Sequence, residues 1–341
     1  MNLKYFKLFA NCYIVLGYKK ALICDLHLGR YRNIPLDLAE IINKYSKISI
    51  SDQKNCMDSS TYEIALELYK HLEVENWGHF TAIPDNFINL DEEWTHPGLI
   101  NNAVLSINNP VLYNIETVIN ELMEINCYAI QVILPPKDYY TFINNISDLT
   151  NNSGIHFIEF VVVFSEKFDE SFFINLSKKN PRIKNYIIHS APFYSKVPIK
   201  DVHDQNIGFI QYLKDIINLK TDCGIISKDY FAVTDDLFFE AKKFNSCLNY
   251  KIFIDFDGSI KNCPSMAQSF GNIKQNSITQ ILSSTTFRSV WSINKDSILV
   301  CKDCEYRYIC TDCRVFIQND NNIFSKPSKC NYNPYLGLWE K

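Results

Sequence analysis

The chain has 341 residues, of which 47% are hydrophobic and 21% are charged, as in an ordinary globular protein. Its formal net charge of -4 argues against a nucleic-acid partner, because phosphate binding needs a basic face. The apolar run before Cys12 is far too short for a secretory signal, and no stretch approaches the ~20 apolar residues of a membrane span. We therefore expect a cytoplasmic protein of two or three domains, with neither a nucleic-acid nor a membrane partner.

Residues 1–95 are predicted to form a small α+β module. Tyr5–Leu16 and Lys20–Asp25 have the character of paired strands, and helices are expected from Pro35 and from Thr61 to Val74. Strands followed by short helices are typical of a winged helix. The module contains ten Lys and Arg against thirteen Asp and Glu, which disfavours DNA as its ligand. The module resembles the peptide-binding winged-helix element of enzymes that modify ribosomal peptides, so a peptide-recognition role is expected, with a purely structural role as the alternative.

Residues 96–222 alternate between strand and helix patterns. The expected strands are Ala103–Ile107, Ala129–Leu134, Phe157–Val163 and Tyr186–His189, with helices expected at Ile115–Ile125, Tyr139–Leu149 and Ser171–Lys178. Such alternation is typical of parallel βα units, and four units are too few for a complete eight-fold barrel. The expected fold class is therefore α/β, with a partial βα-barrel segment.

Residues 223–341 hold most of the cysteines. Cys247 is followed by Gly258 and Cys263, and then by the group Cys301-x2-Cys304-x5-Cys310-x2-Cys313, with Cys330 after sixteen further residues. Closely spaced thiolates favour zinc or iron–sulfur clusters. One zinc ion would need only Cys301, Cys304, Cys310 and Cys313, which leaves the other cysteines unexplained, whereas two cubane clusters need eight ligands.

Four cysteines lie before residue 223 and have no partner at ligand spacing. These are Cys12, Cys24, Cys56 and Cys127. Because free cysteine is among the most often buried residue types, we expect them to be core or incidental residues.

Several strings in the last third resemble the SPASM domain of radical S-adenosylmethionine (AdoMet) peptide maturases. They are Asp257-Gly-Ser-Ile-Lys-Asn-Cys263-Pro264, Gly271-Asn-Ile273 and the run from Cys301 to Arg314. Together with Asn245-Ser-Cys247, Lys326-Pro-Ser-Lys-Cys330 and the opening Leu8-Phe-Ala-Asn-Cys12, they resemble the SPASM-domain maturase of grasp-with-spasm systems, which is encoded beside an ATP-grasp ligase.

That resemblance implies two [4Fe–4S] clusters. The first would be held by Cys301, Cys304, Cys310 and Cys330, and the second by Cys247, Cys263 and Cys313. Many SPASM domains have a further cysteine shortly before the position of Cys247, and this chain has none there. Cys223 is the alternative fourth ligand, unless that site is open. The Cys310-x2-Cys313 spacing is also one residue shorter than the family's usual spacing.

Radical AdoMet enzymes also bind a catalytic cluster through Cys-x3-Cys-x2-Cys after the first barrel strand. This chain has no cysteine pair four positions apart, and Asn108-Asn109-Pro110 follows the strand predicted at Ala103–Ile107. The resemblance therefore implies a maturation protein that binds a precursor peptide and acts with an ATP-grasp ligase. It leaves open whether the chain is a peptide-modifying enzyme or a non-catalytic adaptor, and no catalytic residue is assigned.

Overall fold

A computed structural model of the chain describes residues 4–86, 89–108, 110–134 and 139–340. Asn109, which the sequence analysis places in the loop after the first barrel strand, lies outside these ranges, as do the terminal residues Met1 and Lys341. Within the described ranges, none of the helices combines the length and apolar character needed to cross a bilayer.

The described residues form sixteen strands and nine α-helices. The strands are β1 Tyr5–Leu8, β2 Cys12–Leu16, β3 Lys20–Asp25, β4 Arg30–Pro35, β5 Gly78–Thr81, β6 Asn102–Ser106, β7 Ala129–Ile133, β8 Phe157–Val163, β9 Ile183–His189, β10 Ser195–Lys200, β11 Asn206–Tyr212, β12 Lys251–Ile254, β13 Ser259–Lys261, β14 Gly271–Asn272, β15 Tyr332–Asn333 and β16 Leu338–Trp339. The helices are α1 Leu36–Tyr45, α2 Ile50–Gln53, α3 Ser59–Val74, α4 Ile115–Glu124, α5 Tyr139–Thr150, α6 Glu170–Lys179, α7 Asp235–Lys243, α8 Ile278–Leu282 and α9 Thr285–Arg288. Short 3-10 turns lie at Pro84–Asn86, Lys228–Tyr230 and Cys301–Asp303.

The chain divides into two compact units. Unit 1 contains residues 1–94, 224–247 and 292–341, and unit 2 contains residues 95–223 and 248–291. The domain boundaries expected from the sequence, at 95/96 and 222/223, stay predictions.

Unit 1 begins with a three-stranded antiparallel sheet, in the order β2-β3-β4, and a separate β1-β5 pair. Helices α1 and α3 complete this module, and the side chain of Asp58 caps α3 by accepting a hydrogen bond from the backbone N–H of Thr61. Buried side chains from the strands and the two long helices form one apolar core: Phe6, Cys12, Ala21, Ile23, Ile34, Ala39, Ile42, Ala65, Tyr69, Leu72 and Trp77. Burial of this apolar surface is the main force that holds the module together.

Unit 2 contains a nine-stranded sheet in the order β10-β11-β9-β8-β7-β6-β12-β13-β14. The six strands from β11 to β12 in this order are parallel, and antiparallel strands close both edges. Residues on the parallel strands, such as Leu105, Val132 and Phe160, are fully buried, as is typical of parallel sheets. A mixed α/β chain with a large parallel sheet is thereby confirmed.

Candidate metal centre

Four cysteines of unit 1 line one cavity. Cys301 and Cys304 lie on either side of a single 3-10 turn, in which the Cys304 N–H donates to the Cys301 carbonyl oxygen at 3.0 Å. Cys310 and Cys330 complete the set, and the cavity between them has a volume of about 20 Å³. The remaining lining residues are Ile226, Phe231, Lys295, Tyr306, Arg307, Pro327, Tyr332 and Trp339. The structure thus brings together the four residues that the sequence predicts for the first cluster.

All four of these side chains are free thiols, and none is in a disulfide. Burial raises the pKa of the Cys301 thiol to about 11, although the nearby Lys295 opposes the shift. Burial also raises the pKa of Cys304 well above its ordinary value and raises that of Cys310. Deprotonation of these thiols therefore needs a cation, and a bound metal centre would supply it by displacing the protons.

Three buried charged side chains lie beside the cavity. Asp312 accepts from the Arg314 guanidinium at 2.7 Å, and the Lys295 ammonium lies 3.8 Å from the same carboxylate oxygen. These three side chains are at most 5% exposed. Two cations thus share one carboxylate in a setting where an uncompensated charge is costly. Thiolates bound to an iron–sulfur core are anionic, so such a cluster would give these cations a second negative partner.

Two networks connect the cysteine loop to the rest of unit 1. The Tyr306 hydroxyl donates to Oδ1 of Asn33 on β4 at 2.7 Å, and the Tyr332 hydroxyl donates to Oε1 of the buried Glu305 at 2.5 Å. Arg307 donates to the carbonyl oxygens of Leu16 and Cys304, and to Asp296 at 2.8 Å. Arg307 thus pairs with the carboxylate of Asp296.

The residues predicted for the second cluster form one pair in each unit. In unit 1, Asn245 accepts from the Cys247 N–H at 3.1 Å and donates to Asp312 at 2.6 Å, one residue before Cys313. In unit 2, Ser265 contacts both remaining cysteines.

The Ser265 hydroxyl lies 2.9 Å from Cys223 Sγ, and the Ser265 N–H donates to Cys263 Sγ at 3.3 Å. Ser265 therefore contacts Cys263 together with Cys223, the alternative fourth ligand expected from the sequence. The second cluster itself stays a prediction.

The donor set around the cavity fits a four-iron cluster. Four cysteine thiolates are the usual ligands of a [4Fe–4S] core, and the apolar walls at Ile226, Phe231 and Pro327 would shield it from water. In the described part of the chain, no three His, Cys, Asp or Glu side chains converge as they would around a single ion. A cubane holds its four thiolates farther apart than a single ion does, because each thiolate binds a different iron.

Residues 246–305 match SPASM, described as an iron-sulfur cluster-binding domain. The match includes Cys247, Cys263, Cys301 and Cys304, whereas Cys310, Cys313 and Cys330 follow it. The SPASM recognition made from the sequence strings is confirmed for this region. No protein of curated function is significantly similar to the chain in sequence.

Solved structures to which the chain is similar include three of SuiB from Streptococcus suis. The one bound to S-adenosylmethionine is 8% identical, with a TM-score of 0.33, and the match covers 91% of this chain and 96% of SuiB. The structure of SuiB alone is 10% identical, with a TM-score of 0.31, and the match covers 91% of this chain and 96% of SuiB. The structure of SuiB bound to the precursor peptide SuiA is 9% identical, with a TM-score of 0.35, and the match covers 94% of this chain and 98% of SuiB. At these TM-scores the likeness carries no argument about site or activity.

The sequence analysis missed two residues beside the SPASM cysteines. Lys295 lies six positions before Cys301 and donates to Cys310 Sγ at 3.4 Å. Asn33 is distant in sequence and reaches the cysteine loop through β4. The sequence around neither residue marks it, because the exposed Lys302 lies closer than Lys295 to the same cysteines in the chain. Of the four cysteines expected to be incidental, Cys12, Cys24 and Cys127 are buried and Cys56 is exposed.

Proposed function

We propose that this chain is a maturation protein for a ribosomally synthesised, post-translationally modified peptide, and that it carries two [4Fe–4S] clusters. The observation that carries the proposal is the cavity lined by Cys301, Cys304, Cys310 and Cys330, next to a SPASM match. Cys247, Cys263, Cys313 and Cys223 are proposed as ligands of the second cluster from the sequence alone.

The N-terminal module is proposed to be a winged-helix-like site for the precursor peptide. β4 is an edge strand, and no further strand pairs with it among the described residues. An extended peptide can add to such an edge through backbone hydrogen bonds, while its side chains occupy neighbouring pockets.

A groove on helices α1 and α3 supplies such a pocket. We call it the helix groove, and it is lined by Leu38, Ile64, Glu67, Leu68, Lys70, His71 and Val74. Ile64 is 48% exposed and Val74 is 79% exposed. The side chains of Arg30 and Arg32 on β4 both bond to Glu75 directly after α3, so the edge strand and the groove adjoin. We propose an extended peptide segment with apolar side chains as the occupant.

An ATP-grasp ligase is the second proposed partner, and the cytoplasm is the proposed location, both by resemblance to grasp-with-spasm maturases. The parallel sheet of unit 2 is proposed to be a degenerate, partial radical-AdoMet-like barrel. The ligase would form side-chain ester or amide links in the same precursor, and this chain would modify that precursor or present it.

One sequence observation favours a second function, a non-catalytic iron–sulfur adaptor that presents the precursor to the ligase. The Cys-x3-Cys-x2-Cys motif is absent from the whole sequence, so three thiolates that leave one iron open to AdoMet are missing. In this role the clusters would organise the cysteine-rich region, as metals do in other small metal-dependent domains.

The test is anaerobic reconstitution with iron and sulfide, followed by dithionite, AdoMet and a synthetic candidate precursor peptide. Deoxyadenosine release or a mass change in the peptide would establish an enzyme. Peptide binding without either product would establish the adaptor. Failure to bind the peptide in the iron-loaded state would contradict both functions.

A further inference from the structure

Lys295 places a buried ammonium against a proposed cluster ligand. Its Nζ lies 3.4 Å from Cys310 Sγ and donates to the Thr311 carbonyl oxygen at 2.9 Å. The side chain is 5% exposed and lines the cysteine cavity. A lysine is rarely buried so completely unless its charge has a partner.

The carboxylate of Asp312 does not account for this burial. Asp312 is already bonded by Arg314 at 2.7 Å and by Asn245 at 2.6 Å, whereas the Lys295 ammonium is 3.8 Å away. The ammonium is therefore nearer to the sulfur than to the carboxylate. Its charge is directed at the cysteine cavity.

A second donor lines the same cavity. The indole ring of Trp339 contacts Tyr332, Tyr306 and Phe231, and these contacts hold the ring in place. Its Nε1 atom is buried and has no hydrogen-bond partner in the part of the chain that the structure describes. A buried indole N–H usually finds an acceptor, so this donor points to one that the protein atoms do not provide.

We propose that Lys295 and Trp339 are positioning residues that raise the reduction potential of the cluster held by Cys301, Cys304, Cys310 and Cys330. Lys295 acts through its charge beside Cys310, and Trp339 through an N–H···S hydrogen bond to a cluster sulfur. This inference rests on the proposed iron–sulfur function and adds the groups that set the electron affinity of one cluster.

The direction of the effect follows from electrostatics. Reduction adds one negative charge to the cluster, and a cation or an N–H donor stabilises the reduced form more than the oxidised form. The interaction is strong because water is largely excluded and the local dielectric constant is low. Removal of either group should move the midpoint potential to a more negative value.

The experiment is an anaerobic redox titration followed by electron paramagnetic resonance. The signal of this cluster is identified as the one that disappears in Cys301→Ala. The variants are Lys295→Gln, which removes the charge, Lys295→Arg, which keeps it, and Trp339→Phe, which keeps a ring and removes the donor. Lys302→Gln is the matched control, because Lys302 adjoins Cys301 in sequence but is exposed to water.

We expect Lys295→Gln and Trp339→Phe to have more negative midpoints with unchanged iron content, and Lys295→Arg and Lys302→Gln to stay close to wild type. Trp339→Phe should also lose an exchangeable-proton coupling in electron–nuclear double resonance. An iron-loaded Lys295→Gln or Trp339→Phe protein with the wild-type midpoint overturns the inference.

If Lys295→Gln cannot hold iron, the Trp339→Phe variant alone tests the inference. Its midpoint potential and its exchangeable-proton coupling are then the two measurements. A wild-type protein without iron would instead overturn the proposed function, so the two failures are distinguishable.

Discussion

The Tyr306 hydroxyl donates a hydrogen bond to Oδ1 of Asn33 at 2.7 Å, and this bond joins the edge strand of the N-terminal module to the cysteine loop. Asn33 lies on β4, and Tyr306 lies between Cys304 and Cys310. The proposed peptide site and the proposed cluster therefore both lie in unit 1.

Asn33→Leu should lower the free energy of unfolding by about 1–3 kcal/mol, because the buried Tyr306 hydroxyl loses its acceptor. Urea unfolding of the iron-loaded protein measures this change. Asn55→Leu is the control, since Asn55 is exposed after α2. Equal stability of the two variants would show that the bond contributes nothing.

Cys304→Ala should release iron from one cluster, because three of the four thiolates around the cavity cannot hold a cubane as firmly. Iron and acid-labile sulfide per chain are the quantities to measure. Cys56→Ala should leave both unchanged, since Cys56 is exposed and distant in sequence from the ligands. Equal iron loss from the two variants would contradict the ligand assignment.

Gly17→Ala should destabilise unit 1 by about 1–3 kcal/mol through overpacking. A Cβ atom at Gly17 would lie 2.8 Å from the backbone N of Glu305 and 2.7 Å from the carbonyl oxygen of Lys20, and neither backbone atom can move freely. Thermal unfolding and iron retention should both report the change, because Glu305 follows Cys304 directly.

Gly154→Ala is the matched control for this substitution, since no atom lies within 4 Å of the new Cβ. Its melting temperature should equal that of the wild type. A Gly17→Ala protein as stable as Gly154→Ala would mean that the turn at Gly17 does not pack against the cysteine loop.

Val74→Ser should weaken binding of the precursor peptide by roughly tenfold. Loss of one buried valine contact costs about 1.5 kcal/mol, which corresponds to about that factor in affinity. Val202→Ser is the control, because Val202 is likewise exposed, at 90%, and lies in unit 2, far in sequence from the helix groove. Fluorescence anisotropy with labelled peptide measures the affinity of each variant. Equal peptide affinities of the Val74→Ser and Val202→Ser proteins would exclude the helix groove as the peptide site.

Local patterns predicted most of the secondary structure. The helix expected from Thr61 to Val74 is α3, and the strand expected at Phe157–Val163 is β8 with identical bounds. Periodic burial and helix caps are encoded within a few residues, so they can be read from the sequence. Strands β10 and β11 were not predicted, since polar residues and Pro198 interrupt their pattern.

Long-range pairing could not be predicted in the same way. The parallel pairing of β12 with β6 was not predicted. Residues 251–254 carry no local mark of a partner about 150 positions earlier. The same limit hid the contact of Asn33 with Tyr306, because it depends on how distant segments meet.

The central claim is that thiolates of the last third of the chain hold iron–sulfur clusters. Metal and sulfide analysis of anaerobically purified protein tests it most directly. The account predicts a brown protein with about eight iron atoms and a similar amount of acid-labile sulfide per chain. A colourless protein that contains zinc, or no metal, after anaerobic purification and reconstitution would contradict it.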